Sequence, residues 1–288
     1  MLPIFTESQW LTDSRGSLYK AVYGPGSVTF DAGTETMVIS EESVYPYSDE
    51  IRISISEGAA TFPFYLRIPG WCKNPSVAVN GTPVKGVKSG KYLRIKRAWR
   101  PGDEIILNFP KEAEFINWNG FDAMVVNYGP LLFALPVKAS VEKKEYSIPA
   151  FKNMPYFGYT MTPESDWNYI IGVDGSDNSI LQVVTHDIDA TNPWIQSPQA
   201  IQIRVPMYQD PTWKEWYHKY VDENGNEAFA AQTPPLPTRG AMIFVLRKLS
   251  PEMKTLVPYG STCLRISMFP FWQERAIAPE VLATEDTY

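Results

Sequence analysis

The stretch from Phe62 to Pro110 constrains this chain most. It alternates apolar and polar residues in several short runs and carries no helical period. Phe62, Phe64, Leu66 and Ile68 alternate with Pro63, Tyr65, Arg67 and Pro69, which predicts a strand with one buried and one wet face. Pro69-Gly70 ends that strand. Val77-Ala-Val79 runs into Asn80-Gly81, the strongest short hairpin signal in the chain. Leu93 and Ile95 alternate with Tyr92, Arg94 and Lys96. Ile105, Leu107 and Phe109 repeat the pattern after Arg100-Pro-Gly-Asp103, which has the proline and glycine of a type II turn. Strands this dense, with nothing helical between them, predict an antiparallel sandwich.

Upstream, Ser17–Tyr23, Val28–Phe30, Thr36–Ser40 and Glu50–Ser56 read as further strands, the last with Ile51, Ile53 and Ile55 inward. They bring the first domain to about eight strands, enough for a full sandwich or jelly roll. Downstream, the apolar run Met124–Leu135 carries Gly129-Pro130 in its middle. Ile180–Val184, Ala200–Val205, Ala241–Leu246 and Leu264–Met268 read as strands of a second domain. The expected fold is all-β: two β-sandwich (jelly-roll-like) domains, 17–118 and 119–288, preceded by a short N-terminal helix within 1–16. That helix is expected over 2–15, with Pro3 in its first turn and Gly16 just past its end.

The 25 prolines agree with many short strands and turns, and 44% hydrophobic residues can fill two cores. The net charge is −6 and no basic run exceeds three residues, so no nucleic acid is expected as a partner. No stretch approaches 18 apolar residues, so no membrane-spanning helix is expected.

Several stretches resemble one family. Leu66-Arg-Ile-Pro-Gly-Trp71, Val79-Asn-Gly81, the Tyr92…Arg97-x-Trp99 run and Gly102-Asp103 resemble the middle β-domain of glycoside hydrolase family 127, the β-L-arabinofuranosidase-like enzymes. Glu42–Tyr47, Ser165-Asp-Trp-Asn-Tyr169 and Leu256–Ile266 are similar to further family motifs, in the same order, and Met124–Leu135 resembles the family's strand pair around a Gly-Pro bend. The resemblance implies a helical-barrel catalytic domain as partner and plant-type glycans, arabinofuranose above all, as substrates of the whole enzyme. It also implies that the N-terminal helix is the remnant of such a barrel, the chain starting where the catalytic core ends. In the family the chemistry belongs to a zinc-held cysteine thiolate and a glutamate acid/base, all in the barrel. None of those motifs is present here, so no catalytic residue, no metal ligand and no cofactor is expected in this chain.

Cys72 and Cys263 are isolated, with no cysteine or histidine at ligand spacing, and read as two buried thiols, a disulfide between them staying open on sequence alone. The 32 acidic residues include no motif that would fix a catalytic pair. Asp174–Asn178 and Asp222–Asn226 lack the spacing of a calcium loop and read as turns. Binding remains. Trp213, Trp216, Tyr217 and Tyr220 form the densest polar-aromatic cluster. It reads either as a platform for carbohydrate or as aromatics pinning a long loop, the commoner use of such side chains. Trp71 and Trp99 read as packing residues. Leu2, Phe5, Trp10 and Leu11 give the N-terminal helix apolar groups on more than one side, which predicts an interface with the barrel or self-association through this end.

Overall fold

The structure, a computed structural model, describes residues 2–117, 123–145, 157–172, 177–214, 216–221, 225–232 and 234–272. The chain divides into two compact units, 1–112 with 188–193, and 113–187 with 194–288. The expected boundary at 118 lies outside the described residues.

The first unit opens with helix α1 (Leu2–Glu7) and strand β1 (Trp10–Thr12). The helix expected over 2–15 is therefore six residues long. Residues 10–12 are taken by pairing with β2 (Leu18–Lys20), Trp10 opposite Lys20 and Thr12 opposite Leu18. Gly16, at φ 72°, serves the turn of this hairpin rather than a helix end, and Asp13 closes it by accepting from the Arg15 and Ser17 amides. Then follow β3 (Gly26–Asp31), β4 (Thr36–Ser43), β5 (Glu50–Glu57), β6 (Ala60–Arg67), β7 (Ser76–Val79), β8 (Thr82–Pro83), β9 (Tyr92–Trp99) and β10 (Glu104–Asn108). They build two sheets, β1-β2-β6-β9 and β3-β4-β5-β10-β7-β8. One core fills the space between them, including Met37, Ile51, Ile53, Ile55, Phe62, Phe64, Leu66, Trp99, Ile105 and Leu107. The alternation seen in the sequence supplies this core from every other position of each strand.

Asn80-Gly81 makes the hairpin between β7 and β8: Val79 faces Thr82, and φ is 50° and 75° at the two turn residues, the signature of a type I′ turn.

The second unit contains β11 (Ala113–Asn117), β12 (Ala123–Tyr128), β13 (Leu131–Pro136), β14 (Ala139–Glu145), β15 (Phe157–Pro163), β16 (Tyr169–Gly172), β17 (Gln182–Thr185), β18 (Ile201–Gln209), β19 (Trp216–Val221) and β20 (Glu227–Gln232). Helix α2 (Arg239–Lys248) and strands β21 (Glu252–Pro258), β22 (Arg265–Ile266) and β23 (Phe269–Trp272) complete it. Gly129-Pro130 turns β12 back onto β13 as expected, Tyr128 facing Leu131. The order β12-β23-β16-β18-β21-β13 closes on itself because β13 also pairs with β12, which removes two sheet edges.

The strand expected at Ala241–Leu246 is helix α2 instead. An apolar run this short fits either structure. Thr238 decides locally: its hydroxyl caps the helix by accepting from Ala241 N at 3.3 Å, and Arg247 and Lys248 lie in the last turn. Met242 and Val245, three apart, are buried with Ile170. Gly172 lets the helix approach β16, since a Cβ there would lie 2.0 Å from Leu246 Cδ2.

Candidate functional site

The strongest candidate site lies in the second unit, where β18 ends. Asp210, fully buried, fixes the turn that follows: its Oδ1 accepts from Thr212 N at 2.8 Å and Thr212 Oγ1 at 2.6 Å. Asn168 spans the same turn, its Nδ2 donating to the carbonyls of Asp210 (2.6 Å) and Trp213 (3.1 Å). Trp213 is thereby locked, and its Nε1 donates to Pro235 O at 2.8 Å. Its ring meets Trp167 edge to face at 5.1 Å. These two indoles back an open hollow of about 470 Å³ lined by residues 163–168, Trp213 and Lys214. Glu164 and Asp166 stand exposed in its lining. Its size suits a small ligand, and aromatic rings beside carboxylates and a lysine can stack on a sugar ring and bond its hydroxyls.

The structure separates the four aromatics nominated from sequence. Trp213 is 7% exposed and anchors the hollow, whereas the other three stand on the ribbon β19–β20. Trp216, His218 and Tyr220 share one face of that ribbon, while Tyr217 and Lys219 share the other with Phe229. Trp216, Tyr217 and Tyr220 are 55%, 51% and 45% exposed. Trp213 takes the pinning role. Trp167, missed as a site residue, had its signal in the Ser165–Tyr169 motif.

At the N-terminus, Ile4, Phe5 and Leu11 are exposed. Trp10 turns inward, its ring 6.1 Å from Phe64, because it alternates with Leu11 along β1. The side chain of Leu2 lies outside the described residues. Trp71 packs against the first core and Trp99 is buried in it.

Cys72 is buried, 3.7 Å from the Pro110 carbonyl, and burial pushes its thiol above the ordinary value. Cys263 is exposed, which corrects the expectation of two buried thiols, because it falls in the loop before the two-residue strand β22. Among the described residues no three His, Cys, Asp or Glu side chains gather as a metal site would require. Residues 174–176 and 222–224 of the two acidic turns lie outside the described residues.

A β-sandwich unit with Asn-Gly and Pro-Gly-Asp turns and a second all-β unit whose main sheet closes on itself define the class. Residues 17–111 match the family model described as the middle domain of the GH127 β-L-arabinofuranosidases. The resemblance to glycoside hydrolase family 127 therefore holds, with the sequence match carried by the first sandwich. Solved structures share the fold over nearly all of the chain. A GH127 β-L-arabinofuranosidase from Geobacillus stearothermophilus T6 is 17% identical with a TM-score of 0.56, covering 93% of this chain and 35% of that one. A protein described as a glycoside hydrolase is 16% identical, TM-score 0.57, covering 92% and 37%. A GH127 β-arabinofuranosidase is 15% identical, TM-score 0.53, covering 90% and 36%. The chain thus spans about a third of the length of these structures. No curated protein matches the sequence.

Proposed function

We propose that this chain is the non-catalytic β-sandwich portion of a family 127-like glycoside hydrolase, packing on a helical-barrel catalytic domain and shaping its entrance for plant-type glycans. The observation that carries this reading is coverage: the fold accounts for more than 90% of the chain but only 35–37% of two of the hydrolases it resembles. The lack of a ligand cluster among the described residues supports it. The exposed Phe5 and Leu11 offer apolar contacts to such a domain or to a second copy. The test is an assay of the purified chain on aryl β-L-arabinofuranosides, with and without zinc. No turnover above background is expected. Turnover that vanishes in Cys72→Ala or Cys263→Ala would overturn the reading.

A second reading, a free-standing carbohydrate-binding module, is favoured by the hollow at Trp167 and Trp213 and by the ribbon beyond it. Trp216 and Tyr220 stand on one ribbon face, four residues and so about 13 Å apart along an extended strand. Under either reading the ribbon face stacks on a glycan chain. Trp216→Ala with Tyr220→Ala should weaken binding of an arabinan by about tenfold in titration calorimetry. Unchanged affinity would remove the ribbon from the site.

A further inference from the structure

Residues 85–100 contain seven lysines and arginines and no acidic residue, in a chain of net charge −6. They are scattered along the sequence, so no run announces them. The structure gathers them on and beside strand β9, at the edge of the β1-β2-β6-β9 sheet. Alternation turns Arg94 and Lys96 outward with Tyr92, and all three are exposed. Lys85, Lys88 and Lys91, in the segment leading into β9, are exposed as well. Of the seven, only Arg97 meets a carboxylate among the described residues, Asp103 at 3.4 Å.

The same outer face is aromatic. Register places Tyr19 beside Tyr65 and Tyr65 beside Arg94. Tyr19 and Tyr65 stack in parallel at 4.4 Å, and Tyr92 stands edge-on to Tyr19 at 5.8 Å. Charges on an edge strand often serve to deter strand pairing. That role accounts for Arg94 and Lys96 singly. It does not account for three tyrosines beside them or for the lysines preceding the strand.

We propose that this face binds a carboxylated polysaccharide, a polyuronate. The exposed part of the Tyr92 ring takes the apolar side of a sugar, and Arg94 and Lys96, on the same side of the strand, pair with carboxylates. Complementarity of charge selects the ligand: an acidic protein attracts a polyanion only where its unpaired cations gather. A duplex nucleic acid asks for a basic footprint at the scale of the whole domain. The choice of a sugar over other polyanions rests on the glycan reading above. The site itself does not, since the hollow and the ribbon belong to the other unit.

The test is affinity electrophoresis and titration calorimetry of the whole chain with polygalacturonate, neutral arabinan, dextran sulfate and duplex DNA. Polygalacturonate should retard the chain at low salt, and the Arg94→Ser/Lys96→Ser variant should bind it about tenfold more weakly at an unchanged melting temperature. Tyr92→Ala should weaken polygalacturonate binding about fivefold and leave any dextran sulfate binding unaltered. The proposal falls if polygalacturonate does not bind or if arabinan binds equally well. It also falls if dextran sulfate or DNA binds as tightly while Tyr92→Ala changes nothing, because the face is then a charge patch without sugar recognition. Failure on these grounds leaves the assay for hydrolysis and the ribbon variants untouched.

Discussion

Lys20→Met is expected to destabilise the first sandwich by about 3–5 kcal/mol, because it leaves a carboxylate buried without its cation. Lys20 Nζ lies 2.6 Å from Glu41 Oε2, and both side chains are fully buried. Glu41 Oε1 accepts from Gly24 N at 2.8 Å and Ser43 Oγ at 2.7 Å. Nζ also donates to Gln9 Oε1 at 3.2 Å and sits 3.9 Å from the centre of the Trp10 ring. Burial lowers the Lys20 pKa and raises that of Glu41, in each case outweighing the attraction of the partner. The pair thus costs more to desolvate than its Coulomb energy returns, and the double variant Lys20→Met/Glu41→Leu should recover most of the loss. The pH dependence has a definite sign. A carboxyl with a raised folded pKa binds more protons folded than unfolded above 4.5, so its contribution to stability falls as pH rises from 4.5 through the raised value. Urea melts between pH 4 and 8 should show the native chain losing stability relative to the double variant as pH rises. Equal slopes, or a single variant within about 1 kcal/mol of the native chain, would remove the pair from its role. The same contacts decide where truncation hurts. Gln9 O accepts from Ala21 N at 2.9 Å and Trp10 pairs with Lys20, so removal of residues 2–12 strips the buried ammonium of its cover, while removal of residues 2–7 leaves it intact.

This network marks the limit of what the sequence discloses. Leu18-Tyr-Lys20 reads as an alternating strand, and nothing local says that its lysine points inward. The partner, Glu41, comes from another sheet, and such a pairing is legible only once the topology is known. The helix at the N-terminus is overread for the same reason: residues 10–12 satisfy a helical pattern, but their hydrogen bonds go to β2. Features set by neighbours in the chain are legible. The Asn80-Gly81 turn, the Gly129-Pro130 bend and the inward isoleucines of β5 depend on two- or three-residue chemistry. The hollow was half legible. Trp213 stood out as part of a cluster, but its partner Trp167 is 46 positions away and Asn168 and Asp210 bring them together. The basic face escaped because alternation spreads one face of a strand over every second residue, so a concentrated charge leaves no run in the sequence.

Asp103→Ala should cost the first sandwich about 3 kcal/mol, since it unpairs several donors at once in a nearly closed site. Asp103 is 2% exposed. Its Oδ1 accepts from Asn80 Nδ2 at 2.7 Å and its Oδ2 from Arg100 N at 3.0 Å, while Arg97 Nη2 lies 3.4 Å from Oδ1. Asn80 Oδ1 in turn accepts from Glu104 N at 2.8 Å, and Asn80 N donates to Glu104 O at 2.9 Å. The Asp103 carboxylate therefore joins the hairpin of β7 and β8 to the turn between β9 and β10. Those are the Asn-Gly and Gly-Asp positions through which the chain resembles the GH127 middle domain, and the contact gives them a structural reason to occur together. Asp103→Asn should keep part of the stability, because an amide oxygen still accepts from Arg100 N, though it meets the Asn80 amide and Arg97 without charge. Asn80→Ala should cost less than Asp103→Ala, since it spares the bonds from Arg100 and Arg97. If the two turns are linked as described, the double variant will cost less than the sum of the singles by about 1 kcal/mol in urea denaturation. Strict additivity would mean that each turn stands alone, with the Asn80–Asp103 bond contributing nothing to the sandwich.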